Sequence, residues 1–197
     1  TGTSSTIKNN VDKFYADKLV SYASKLDMNA GFCGDRSNLN LQSGVGTGTV
    51  TTYNKGYLRV EESTPTLTCE NSSDYYTVSS ATNGNKALSY PIGLITVDEV
   101  MLAGHTGGIF DGGYNHMNSN NKSYLTTGNV FRTMTPAGNY NPFDFTYWDT
   151  LVFGVSGFGF IDDYGVANNF GIRPVINISS NVTITGSGTM TDPYIIN

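Results

Sequence analysis

Ser89 to Gly104, SYPIGLITVDEVMLAG, leaves the chain little conformational choice. Tyr90, Ile92, Leu94 and Ile95 form a short apolar run, punctuated by Pro91 and Gly93, that reads as a buried strand. Thr96 then stands where a helix needs an N-cap, because its hydroxyl can accept from the free amides of the first turn. Asp98 and Glu99 follow at the positive end of the helix dipole. Val97, Val100, Met101 and Ala103 recur at helical spacing, and Gly104 supplies the C′ position that a left-handed stop requires. The stretch predicts a strand running directly into a capped helix, with Thr96 in a structural role.

Elsewhere the pattern is mostly β. The exception is the N-terminal segment 6–30, where Ile7, Val11, Phe14, Tyr15, Leu19, Tyr22, Ala23 and Leu26 share one face, predicting one amphipathic helix docked on a sheet. Residues 38–48, NLNLQSGVGTG, read as loop. Thr49–Tyr53 and Tyr57–Glu61 read as a hairpin around Asn54-Lys55-Gly56, followed by short strands at Thr66–Cys69 and Asp74–Val78. A glycine- and asparagine-rich loop follows Gly104, a strand spans Val130–Pro136, and a second polar-aromatic loop spans Asn139–Asp149. Leu151–Val155 and Phe158–Ile161 read as a hairpin with Asp162-Asp163-Tyr164-Gly165 as the turn beyond it. Gly171–Ile178 reads as a strand, and Val182–Thr185 with Tyr194–Ile196 closes the chain. There is no internal repeat or linker, so residues 1–197 are expected to form a single domain.

Composition limits the function. A net charge of −5 and the lack of a basic stripe argue against nucleic acid as a partner. No run approaches the ~20 apolar residues of a membrane span. No signal peptide is present in the stretch that starts at TGTSST, which leaves room for an export signal or membrane anchor upstream of it. Asn, Ser and Thr carry the solubility that Lys and Glu carry in most cytosolic proteins, which points to an extracellular or cell-surface location. In that setting Cys33 and Cys69, the only two cysteines, are expected to form a disulfide, the alternative being two unrelated buried thiols. Their spacing matches no zinc motif.

No catalytic constellation stands out. His105 and His116 lie in one loop without a nucleophile elbow beside them and read as solvated side chains. Asp162-Asp163 would be a carboxylate pair or, with Asp111 and Asn168, half a calcium site, but the dense alternating spacing of such sites is missing and a plain turn is the reading. No metal or other cofactor is expected. Arg173 lies in an apolar strand before a proline, so its donors are expected to tie loop carbonyls or a carboxylate together. The best recognition surface is the mixture of rings and amides in the second polar loop: Asn139, Tyr140, Asn141, Asp144, Tyr147, Trp148 and Asp149.

Two stretches carry a family resemblance. Tyr90–Val100 with Ala103-Gly104 is similar to the strand-helix segment of the formylglycine-generating-enzyme-like branch of the C-type-lectin fold, and Gly171-Ile172-Arg173-Pro174-Val175 looks like its closing arginine-bearing strand. Phe32–Ser37, Phe131–Pro136 and GFGFIDDYG, in that order, resemble secreted or surface-anchored bacterial domains of this fold. The resemblance implies an α+β C-type-lectin-like domain with twisted antiparallel strands, two helices and long irregular loops. Variable proteins diversified by retroelements use this branch to bind ligands through loops near the C-terminal strands. Carried over, that face would draw on Asn139–Asp149 and on Asp162, Asp163, Tyr164 and Asn168. The enzymes of the branch depend on a cysteine pair late in the chain, and nothing after Cys69 can replace it. The expectation is therefore a non-enzymatic ligand-binding or adhesion module for a protein or glycan. A filament subunit of minor-pilin type is the alternative, and an oxidative enzyme comes third.

Overall fold

A computed structural model describes residues 5–39, 52–78, 83–105, 123–140, 149–189 and 191–197. The chain opens with helix α1 (Thr6–Lys18), capped by the Ser5 hydroxyl, which accepts from the Lys8 amide. The helix predicted through Leu26 stops earlier: after Leu19 the backbone tightens into a 3-10 turn, Val20–Lys25. β-Branched Val20 followed by Ser21 and Tyr22 propagates an α-helix weakly. Leu26 meanwhile leaves the helix to bridge Ile178. Tyr22 in this turn and Phe14 in α1, both expected on the buried face, are exposed.

Strand β1 (Phe32–Cys33) precedes β2 (Thr52–Tyr53) and helix α2 (Lys55–Glu62). Here the predicted hairpin is overturned, since its second arm is α2. Tyr57 and Val60 lie on one helical face, and Gly56 lets the first turn sit directly on Thr135, whose Cγ2 would be only 2.8 Å from a Cβ. A left-handed Ser63 ends the helix. Thr66–Cys69, expected as a strand, is irregular, and the strand expected at Asp74–Val78 reduces to β3 (Tyr75–Tyr76), which pairs β1. The Cys33–Cys69 disulfide is formed and ties the β1 segment to this irregular stretch, with Cα atoms 5.5 Å apart.

The hub folds as its sequence dictates. β4 (Gly93–Leu94) leads into α3 (Val97–Leu102). Thr96 Oγ1 accepts from the Glu99 amide while the Glu99 carboxylate accepts from the Thr96 amide, a reciprocal cap worth about 1 kcal/mol. Gly104 takes φ +95°.

β5 (Phe131–Tyr140) and β6 (Asp149–Val155) form the longest ladder, and β7 (Ile161–Gly165) continues it on the far side of β6. Register shifts in β5 flank Pro136, which has no amide to give the ladder. The single strand expected at Gly171–Ile178 is divided. β8 (Gly171–Ile172) pairs β5 in parallel, and β9 (Pro174–Val175) pairs β4. The central sheet thus runs β2-β5-β6-β7, with β8 beside the other half of β5. A short hairpin, β10 (Ile184–Thr185) with β11 (Ile195–Ile196), closes the chain.

Two buried clusters hold these parts. On the inner face of the sheet, Phe131, Ala137, Leu151, Phe153, Val155 and Ile161 pack against Val60 of α2 and Val97, Val100 and Met101 of α3. A second cluster joins Val11 and Tyr15 of α1 to Leu26 and Ile92. Full burial of each large side chain contributes about 1.5–3 kcal/mol. The described chain is α+β, with one helix more than the two expected.

Candidate functional site

Strand directions gather the chain's departures at one end of the central sheet. β2 begins there, because Thr52 pairs Asn139 near the end of β5. β5 leaves and β6 returns at Tyr140 and Asp149, which face each other, and β7 ends alongside at Gly165 opposite Leu151. The segments 40–51, 141–148 and 166–170 therefore all attach to the same rim. Close approach of β2 is possible because residue 138 is glycine: a Cβ would lie 2.2 Å from the Thr52 carbonyl oxygen.

The predicted ligand-binding residues divide over this frame. Asn139, Tyr140 and Asp149, expected in a loop, are strand residues at the rim, since the ladder extends further than the glycines and proline suggest. Asn141, Asp144, Tyr147 and Trp148 lie outside the described residues, as do His116 and Asp111. Asp162, Asp163 and Tyr164, expected in a turn, form strand β7; the reversal is at 156–160, where the Ser156 amide donates to the Phe160 carbonyl and Gly159 has φ +91°.

Strand alternation places Asp162 and Tyr164 on the face opposite Asp163, so they are not a carboxylate pair. Asp163 pairs in register with the fully buried Phe153, and burial, followed by the neighbouring Asp162, pushes its carboxyl above the ordinary range. Across that face lies Tyr57 of α2, its ring 6.4 Å from Phe153 and 4.4 Å from Tyr53. Burial, then the charges of Glu61, Tyr53 and Asp163, push its phenol up to about 12. Half-buried Tyr53, Tyr57 and Asp163, with exposed Glu61 at their edge, thus make a polar-aromatic cluster beneath the rim. Reading 57–61 as a strand hid it; the helical spacing of Tyr57, Val60 and Glu61 was the available signal.

The opposite face carries the crossover from β7 to β8. Tyr164 meets Phe170 edge-on at 4.8 Å, and the Arg132 guanidinium lies 5.9 Å from the Phe170 ring. Arg132 donates to three crossover carbonyls, Val166 at 2.8 Å, Gly165 at 3.0 Å and Asn168 at 2.8 Å. This is the role expected of Arg173. Arg173 instead donates to the Thr127 hydroxyl at 2.6 Å and lies 5.0 Å over the Phe131 ring, nearer the surface. Asn168 keeps an exposed side chain while its carbonyl is held by Arg132. Burial lowers the Arg132 pKa, as it must for a cation bonded only to neutral carbonyls.

Two internal ties fix α2 and α3. Arg59 is bidentate to Asp98, with Nε at 2.7 Å and Nη2 at 3.0 Å, and reaches Asp35 through Nη1 at 2.8 Å. Asp35 loses solvation on burial, but bonds from Ser37 and Arg59 outweigh that and hold its carboxyl below the ordinary range. His105, read as solvated, is 2% exposed. Its Nδ1 donates to the Gly159 carbonyl at 2.7 Å, which leaves Nε2 to accept from the Ser123 hydroxyl. The imidazole therefore joins the end of α3 to the 123–126 turn and the β6–β7 reversal. A loop composition rich in glycine and asparagine concealed this burial.

Among the described residues, no group of three or more His, Cys, Asp or Glu side chains could hold a metal ion, and no helix is long and apolar enough to cross a membrane. What the rim offers is phenols, amides and a half-buried carboxylate on a stiff sheet, which suits hydrogen-bonded and stacked recognition. Compared with family models, curated proteins and solved structures, the chain matches none.

Proposed function

We propose that this chain is a non-enzymatic extracellular ligand-binding or adhesion module of the C-type-lectin-like kind, displaying changeable segments on a rigid sheet. The observation that carries the reading is the convergence of segments 40–51, 141–148 and 166–170 on one rim. Segment 141–148 contains Asn141, Asp144, Tyr147 and Trp148, side chains that bind well at low entropic cost. The Cys33–Cys69 bridge fits an oxidising compartment. It also engages both of the chain's cysteines, which supports binding rather than thiol-based oxidative chemistry. The partner is a protein or glycan displayed on another cell or molecule.

The test replaces Tyr147, Trp148 and Asp149 together by alanine and compares the variant with the parent on immobilised glycans and on cell surfaces. Parent binding that falls roughly tenfold or more in the variant, at unchanged melting temperature, is the expected result. Equal binding by the two proteins refutes the surface assignment. A filament subunit is the second reading, favoured by the exposure of Phe14, Val20 and Tyr22 along the N-terminal helical segment. Concentration-dependent assembly abolished by Val20→Glu and Tyr22→Glu would favour it.

A further inference from the structure

Away from the rim, a groove of about 450 Å³ opens between α1, β4, the β1–β3 pair and the outer side of β5. That volume lies within the ~300–1,000 Å³ of small-molecule pockets. Its floor is apolar: Phe32, Ile92 and Leu94 on one side, Val11 of α1 on another, and Met134 with Pro136 of β5. Ile92 is fully buried beneath it. Water in such a groove finds few hydrogen-bond partners, so an apolar occupant displaces it favourably.

Charge selects among apolar occupants. Among the described lining residues the only charged side chains are Lys8 and Arg36, both cationic, in a chain whose net charge is −5. Lys8 gives one ammonium proton to Asp12 and retains two. Arg36 spends Nε and Nη2 on Asp74 and the Ser73 carbonyl, and its side chain is still 59% exposed. The hydroxyls of Ser5 and Tyr76 add polar atoms among the lining side chains. Both cations are ion-paired, Lys8 with Asp12 and Arg36 with Asp74, but their remaining N–H groups call for an anionic acceptor, which a neutral hydrocarbon does not supply.

We infer that this groove binds a free aliphatic monocarboxylate of fatty-acid type, its chain on the partly exposed Leu94, Met134 and Pro136 and its carboxylate between Lys8 and Arg36. The site is independent of the rim, so the two assignments stand or fall separately.

The probe is sodium decanoate, titrated calorimetrically into the intact oxidised chain near pH 7, with n-decanol as the uncharged arm. Saturable one-to-one binding of decanoate, roughly tenfold tighter than n-decanol, is expected. Lys8→Gln should weaken it by roughly fivefold or more, since it removes one of the two charged donors that would meet the carboxylate. Ala87→Trp, on the exposed rim of the groove, should fill the space and abolish binding while circular dichroism stays unchanged. If Ala87→Trp fails to fold, Lys8→Gln at the surface of α1 decides the matter alone. Absence of saturable decanoate binding, equal affinity for n-decanol, or parent-like affinity in Lys8→Gln overturns the assignment.

Discussion

Replacing Asp98 by asparagine removes the charge that pins α2 to α3. The carboxylate side chain is 6% exposed and accepts three hydrogen bonds: two from Arg59, at 2.7 and 3.0 Å, and one from the Thr66 amide at 3.0 Å. Arg59 is itself only 15% exposed, so solvent does little to screen the pair. Exposed pairs contribute about 0–1 kcal/mol, whereas breaking a buried pair from one side costs about 3–5 kcal/mol. Asparagine retains a carbonyl for Thr66, and Asp35 still holds one arm of the guanidinium, which sets the expected loss near the lower figure, about 3 kcal/mol. For a chain of this length that corresponds to a melting temperature lower by roughly 6–12 °C. Urea unfolding of the oxidised protein near pH 7, followed by circular dichroism, measures it directly. Arg59→Met with Asp98→Asn removes both charges of this pair while leaving Asp35 without its guanidinium, so the double-mutant cycle is read for its coupling, expected at about 1.5 kcal/mol or more. A single variant within about 1 kcal/mol of the parent, or an additive cycle, refutes the claim that this pair is a buried pin.

Two further outcomes are expected. Reducing the Cys33–Cys69 bridge, which spans 36 residues, should cost about 4 kcal/mol in the chain-entropy picture, and an unchanged unfolding midpoint under strong reductant refutes a stabilising role. In alkaline absorbance titration, Tyr57 and Tyr164 should ionise near pH 12 in the folded protein, and Tyr57→Phe should remove one of these late steps. Because an unfolded tyrosine ionises near 10, the unfolded chain releases these protons first and stability falls as pH rises from about 10 to 12; a late step undiminished in Tyr57→Phe contradicts the burial of this phenol.

The sequence was most legible where local chemistry and tertiary packing agree. Thr96, Glu99 and Gly104 specify the ends of α3 without help from elsewhere, and the alternation in Leu151, Phe153 and Val155 places a buried strand. It misled where one spacing serves two structures. Tyr57-Leu58-Arg59-Val60-Glu61 satisfies a strand's alternation as well as a helix's stripe, and the choice was made by Gly56 docking on Thr135, 79 residues away in the chain. Asp162-Asp163-Tyr164-Gly165 has the composition of a turn but is held straight by pairing with β6. Arg132 takes the role expected of Arg173 because the crossover from β7 lies over Arg132, a matter of long-range topology that no local pattern encodes. Of the rim, the rings and amides of 139–149 were visible in composition, whereas the contribution of Tyr53 and Tyr57 depended on the α2 geometry.

The seating of β5 has a kinetic consequence. One half of this strand is sealed by β2, from the first third of the chain, and the other by β8, whose pairing residues are Gly171 and Ile172. Both closures span long stretches of sequence, and such contacts form slowly because loop entropy is lost before they are made. During synthesis the sheet must therefore wait with a bare flank until residue 172 has emerged. The nascent chain would remain pliable until then and set in one late, concerted event.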